Sequence, residues 1–234
     1  MGPQATSTGC KIKQLTSEQA SCSMGIYKKE FMLIKEADKI IISLSKPDKM
    51  PGYAYGLPAW ECKTGQKLVK VPGSVCSGCY AMKGNYTRFP AIRESHYKRL
   101  KALRHPLWVK AMALKINSKK VKFFRWHDAG DVQNLKHLAK IFEVCRRTPG
   151  IKHWMPTREA WTKKYISSNR KPSNLVIRFS GTMIDQPAIK SWPNTSTVVT
   201  DGSRTCPAPD NAGKCGSCRN CWNPEIKNIS YGKH

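Results

Sequence analysis

Four cysteines late in the sequence carry its clearest chemistry. Cys206-x8-Cys215-x2-Cys218-x2-Cys221 sets three thiols at successive x2 spacing, with a fourth upstream beside Pro207. Proteins hold [4Fe–4S] clusters on such a run, with a remote cysteine next to proline. Gly213, Gly216 and Ser217 are small enough for the backbone to wrap a cluster and donate N–H groups to sulfur. Zinc is the alternative, because a tetrahedral ion accepts four thiolates, though its sites more often use two separated Cys-x2-Cys pairs. A second set, Cys76-Ser-Gly-Cys79 with Cys62 upstream, offers three further metal ligands. They either form a centre of their own, lend ligands to the C-terminal one, or are plain buried thiols. Cys10, Cys22 and Cys145 read as spare, and Cys145 falls on an apolar helix face that belongs to the core.

A polar cluster follows an apolar run at Arg125-Trp126-His127-Asp128-Ala129-Gly130-Asp131. An imidazole and two carboxylates at a strand end can hold a divalent metal, transfer protons or bind hydroxyl groups. Arg125, His127, Asp128 and Asp131 are therefore the candidate catalytic residues. Asp131 has a second reading as a helix N-cap, with free N–H groups behind it for an anion. His127 has one as a buried structural residue. Thr157, Arg178 and Asp201 fall at further strand ends and are candidate ligand-binding residues.

These residues need a scaffold that brings strand ends together. The pattern predicts strands at 39–45, 121–128, 151–157, 175–180 and 197–200, the last of these closing the sheet. Helices are expected from Pro90, from Pro106 to Ile116, over 135–145 and over 159–167. A long Gly- and Pro-rich stretch from Pro47 to Gly84 carries Cys62, Cys76 and Cys79. Strand–helix alternation with apolar strands predicts an α/β fold with parallel strands. The chain is short for an eight-unit barrel, so a partial β/α barrel or an open parallel sheet is expected. A cysteine-bearing loop would follow strand one, and an iron–sulfur segment would end the fold. The expected organisation is a basic arm or cap over 1–38, an α/β core over 39–200 and a cluster-binding segment over 201–234.

Charge points to a partner. Lys and Arg total 41 against 15 Asp and Glu, a formal net charge of +26. A chain this basic repels itself and suits a polyanion, which argues against a small-molecule enzyme or a protein-only electron carrier. No acidic residue falls between Glu94 and Asp128. Lys98, Arg99, Lys101, Lys119, Lys120 and Lys122 in that window are candidate phosphate contacts for DNA or RNA. Trp108, Trp161, Tyr165 and Trp192 are candidate stacking platforms for unpaired bases. Met1–Cys22 has no apolar core of a signal peptide, and no run is long enough to span a membrane. Ten cysteines in such a chain fit a reducing, cytoplasmic setting.

Several motifs together resemble the phage "gene product 88" family. They are Met50-Pro-Gly-Tyr-Ala, Cys76-x2-Cys79-Tyr80-Ala81 with Gly84-x-Tyr86, Arg125-x-His127-Asp128-x-Gly130-Asp131, Thr157, and the run from Cys206-Pro207 to Cys221-Trp222. The resemblance spans about residues 40–222. It implies a viral iron–sulfur protein working in the host cytoplasm and supplies no reaction. More distantly, the place of Cys76 and Cys79 is similar to the cluster loop of radical S-adenosylmethionine enzymes. Their Cys-x3-Cys-x2-Cys pattern would need a cysteine at Pro72 and an aromatic residue at Gly78, so S-adenosylmethionine is doubtful. Three functions compete: a cluster-containing enzyme acting on nucleic acid, a non-enzymatic nucleic-acid-binding protein with a structural cluster or zinc, and an electron-transfer protein with an acidic partner.

Overall fold

The structure, a computed structural model, describes Met32–Lys233. Most of the expected N-terminal arm, with Cys10 and Cys22, lies outside the described residues. Six strands form one sheet: β1 Tyr53–Tyr55, β2 Phe123–Trp126, β3 Lys152–Thr157, β4 Leu175–Ser180, β5 Thr195–Val199 and β6 Asn228–Gly232. They lie side by side in chain order and every pairing is parallel. Seven helices accompany them among the described residues: α1 Ile34–Ile41, α2 Lys63–Leu68, α3 Asn85–Arg88, α4 Pro90–Ala102, α5 Trp108–Ser118, α6 Leu135–Arg146 and α7 Thr162–Ser168. The fold is α/β, as the alternation implied.

Local chemistry sets the helix starts. Pro90 opens α4, where its missing N–H costs nothing. Asn134 caps α6 by accepting from the His137 backbone N–H at 2.9 Å. Leu138, Ile141, Phe142 and Cys145 then recur on one buried face. Every residue of β4 is buried, as a strand covered on both faces requires.

Strand alternation divides the sheet into two faces. Phe124 and Trp126 pack toward the helices, where Trp126 meets Trp108 of α5 at 6.1 Å and His153 at 6.0 Å. Arg125 of β2 and Trp154 of β3 point to the other face. There the indole of Trp222 packs edge-on to Trp154 at 5.4 Å and donates its N–H to the Phe124 carbonyl at 2.9 Å. The C-terminal cysteine segment thus lies against the face that the helices leave.

Two expectations fail. Residues 39–45 do not form a strand. The run Ile40–Ile42 reads as apolar, but only Ala37 and Ile41, four residues apart, are buried, on the side of α1 that packs on α5. Ile42 then breaks the helix at φ +74, and Ser45 reaches the sheet through one bridge to Ala54. The expected last strand, matched by β5, is not last, because β6 follows the cysteine segment and pairs with β5 along its length. No helix among the described residues is long and apolar enough to cross a membrane.

Burial governs how this core responds to acid. His137 and His153 are 3% and 0% exposed, and burial pushes both pKa values down to about 3. Each stays neutral when folded and takes a proton near pH 6.5 when unfolded. Stability is therefore complete above pH 6.5 and falls as pH drops below it, by about 2 kcal/mol per histidine at pH 5. The carboxyl of Asp131, which burial raises to about 6, shifts the opposite way and offsets part of the loss. Urea unfolding at pH 7 and pH 5 should show a lower midpoint at pH 5, and an unchanged midpoint would contradict this.

Candidate functional site

The turn after β2 is fixed by close approach. Gly130 has φ +78, and a Cβ there would lie 2.6 Å from the Leu57 carbonyl oxygen. Only glycine satisfies both demands. The Leu57 N–H donates to the Ala129 carbonyl at 2.8 Å, tying the segment after β1 to this turn. Asp131 continues the fastening. Its carboxylate accepts from the Val132 N–H at 2.7 Å, the Thr157 hydroxyl at 2.7 Å and the Arg158 N–H at 2.8 Å. Asp131 is thus no N-cap, since α6 begins four residues later behind Asn134. Thr157 is equally committed, to Asp131 and to the Glu159 N–H. Glu159 accepts from the Thr64 N–H at 2.9 Å and holds the Cys62 loop against the end of β3.

Asp128 is the carboxylate left open. It is 7% exposed, and its Oδ1 has no hydrogen-bond partner among the described residues. A Cβ on Gly56 would lie 2.5 Å from that oxygen and 3.1 Å from His96 Nε2, so the two side chains face each other across one glycine. Burial and Arg99 lower the His96 pKa, and Asp128 opposes them. Tyr86 and the guanidiniums of Arg99 and Arg125 stand within electrostatic reach of Asp128. Arg125 donates to the Tyr80 hydroxyl at 3.4 Å, and that hydroxyl donates to the Asp128 carbonyl. A carboxylate, an imidazole and a guanidinium at a strand end can exchange protons with a ligand or hold its polar groups.

His127 does not join them. Alternation would place it on the face of Arg125, but φ +56 breaks the alternation and sends the ring into the closed core. It packs edge-on to His137 at 5.5 Å, is 2% exposed and has no partner for either ring nitrogen among the described residues. Burial, His137 and Arg125 all hold it neutral. The expectation of an imidazole facing the strand ends passes instead to His96. His96 is buried on the inward face of α4, and no sequence spacing links that position to Asp128.

The C-terminal thiols gather on the open face. Cys215 is within electrostatic reach of Cys206 and Cys218, and Cys221 within reach of Cys215. All four are half-buried and free. Burial pushes Cys221 up to about 11, opposed by the Tyr231 hydroxyl at 3.3 Å and by Arg125 and Arg178. Arg178 is not a ligand-binding residue. It is fully buried, and its five hydrogen bonds all go to carbonyls, those of Asn220, Cys221, Asn223, Ile226 and Thr195.

Cys62, Cys76 and Cys79 form a separate group at the strand ends. Burial raises Cys62, and Asp131, Cys79 and Cys76 add to the rise while Arg158 opposes it. A Cβ on Gly65 would lie 3.7 Å from Cys62 Sγ and 3.8 Å from Cys76 Sγ, so residues 14 apart in sequence share one small space. Cys145 is fully buried in the core, as expected. As the side chains stand, no group of three or more His, Cys, Asp or Glu among the described residues is arranged to hold a metal ion.

The basic candidates separate. Arg99 is 4% exposed and donates to Ser43, Ser45 and Gly56 beside the Tyr55 ring, so it cannot meet phosphate. Lys98 pairs with Glu94 at 2.7 Å. Lys119, over the Tyr53 ring, and the exposed Lys120 and Lys122 lie where β1 and β2 start, away from the strand ends. Lys101 is exposed on α4. Two of the expected stacking platforms are packed inside, Trp108 fully buried and Trp192 stacked on Phe179 at 4.7 Å, while the half-buried Tyr165 abuts Phe142 and the half-buried Trp161 donates its indole N–H to Glu159. Asp201 is exposed and held within its own turn by Ser203.

A family profile described as Gene product 88 matches residues 28–224. The chain belongs to this phage protein family. The Gene product 88 match takes in both cysteine groups and the strand-end turn, and it stops before β6. No curated protein and no solved structure matches the chain.

The three bonds accepted by Asp131 make it a stability residue of the Gene product 88 site. Asp131→Ala leaves the Thr157 hydroxyl and two backbone N–H groups buried without an acceptor and should cost about 2–4 kcal/mol. Denaturant unfolding reads this directly, and a loss under about 0.5 kcal/mol, the range of neutral surface changes, would contradict it.

Proposed function

We propose that this protein is an iron–sulfur protein of the host cytoplasm that binds or acts on nucleic acid. Its [4Fe–4S] cluster would be held by Cys206, Cys215, Cys218 and Cys221. The reading is carried by the cluster-like spacing of four free thiols, of which Cys215 lies within electrostatic reach of Cys206, Cys218 and Cys221 and Cys221 within reach of Arg125 and Arg178. The donor set fits a cluster in type and number, and the two guanidiniums offset the negative charge that thiolates bring. Such a cluster supplies one-electron chemistry or a structural cross-link when bound. Zinc on the same thiols is the alternative. Cys62, Cys76 and Cys79 are proposed as ligands of a second centre at the strand ends.

The strand order supports a finer reading of the fold. Six parallel strands in chain order, with helices against one face and the cysteine segment against the other, match the layout of a partial β/α barrel. Asp128, with His96 and Arg125, is the proposed ligand-contacting group at the strand ends. The closed position of His127 favours a second reading, a nucleic-acid-binding protein whose cluster is structural.

Protein purified without oxygen should be brown, with at least about four irons and four sulfides per chain and a spin-resonance signal on reduction. Cys218→Ala should lose the colour and much of the fold, because metal binding is coupled to folding. Colourless protein with stoichiometric zinc, or with no metal, would overturn the cluster.

A further inference from the structure

A stripe of exposed side chains runs along α4 that the basic window alone did not single out. Arg93, Tyr97 and Lys101 are spaced four apart on α4, with Phe89 just before its first residue and Arg104 just past its last. Residues so spaced share a helix face and advance about 6 Å per step. All five are exposed, the rings of Phe89 and Tyr97 by 49% and 36%, while His96 and Arg99 on the opposite face are buried. The Arg93 guanidinium lies 4.7 Å over the Trp60 ring. A groove runs alongside, lined by Lys63, Tyr97, Lys101, Arg104 and Gln133, with Glu61 as its acidic member. Glu94, the nearest acid on the helix, is paired with Lys98.

We propose that this stripe is a track for single-stranded nucleic acid. The inference rests on the nucleic-acid reading above and names its site and strand class. Rings alternating with cations match a single strand, in which unpaired bases offer faces to stack on and phosphates lie between them. A duplex hides its base faces, so it would meet the cations and leave the rings unused. The groove borders Gln133 and Asn134, just past Asp131, so the track passes beside the strand-end turn.

Fluorescence anisotropy with a labelled oligothymidine and a duplex of equal length tests the track. The oligothymidine should bind more tightly than the duplex. Phe89→Ala and Tyr97→Ala should each weaken oligothymidine binding about 5- to 100-fold, with melting temperature and salt dependence nearly unchanged. Lys101→Gln and Arg104→Gln should each lower the slope of log affinity against log salt by about 0.7. Wild-type affinity in both ring variants, or a duplex bound as tightly as the single strand, would overturn the track and leave nucleic-acid binding standing. Failure of both nucleic acids to bind at low salt would overturn the track and the nucleic-acid reading together.

Discussion

A guanidinium shut away from water must direct every N–H at an acceptor or destabilise the fold. Arg178 meets that constraint with five carbonyls, four of them between Asn220 and Ile226. One residue in the middle of the sheet thereby dictates the path of the chain that carries Cys221. Trp222 is then pressed onto Trp154, and the chain emerges in register to form β6. The gathering of the C-terminal thiols is a consequence of this clamp as much as of their spacing. The same bonds explain why a residue that looks like a strand-end ligand contact is unavailable to any ligand.

Arg125 plays a different part on the same face. Burial alone would lower its pKa, but Tyr80, Asp128, Tyr231 and Cys221 surround it and together raise it. It touches Tyr80, the neighbour of Cys79, and stands within reach of Cys221. The strand-end carboxylate and the C-terminal thiols therefore share one cation.

Much of this was legible in the sequence where periodicity is strong. The buried face of α6, the apolar β4 and the breaks at Pro106 and Pro149–Gly150 follow from residue type and spacing alone. Three apolar residues at Ile40–Ile42 misled because a short run does not declare its period, and the i, i+4 pair Ala37–Ile41 decides for helix. β6, with the polar sequence Asn-Ile-Ser-Tyr-Gly, has no strand signature of its own and exists because β5 and the clamp receive it. The cysteine spacing suggested thiols close together, and Cys215 lies within reach of Cys206, Cys218 and Cys221. The inward turn of His127, the pairing of His96 with Asp128 and the meeting of Cys62 with Cys76 depend on backbone dihedrals and long-range packing that local pattern does not encode. The exposed rings were missed for a simpler reason. Tryptophans were favoured as platforms, yet the largest rings are the ones a core takes first.

The order of elements along the chain also bears on how the protein is made. On the ribosome, synthesis proceeds from the N-terminal side at about 5–20 residues per second, and early segments collapse before late ones exist. Five strands can assemble while Cys206–Cys221 is still being translated. The carbonyls that hold this segment, and the edge strand β6 that follows it, arrive afterwards. The segment that carries the four thiols is therefore fastened to the sheet late, by residues made after it.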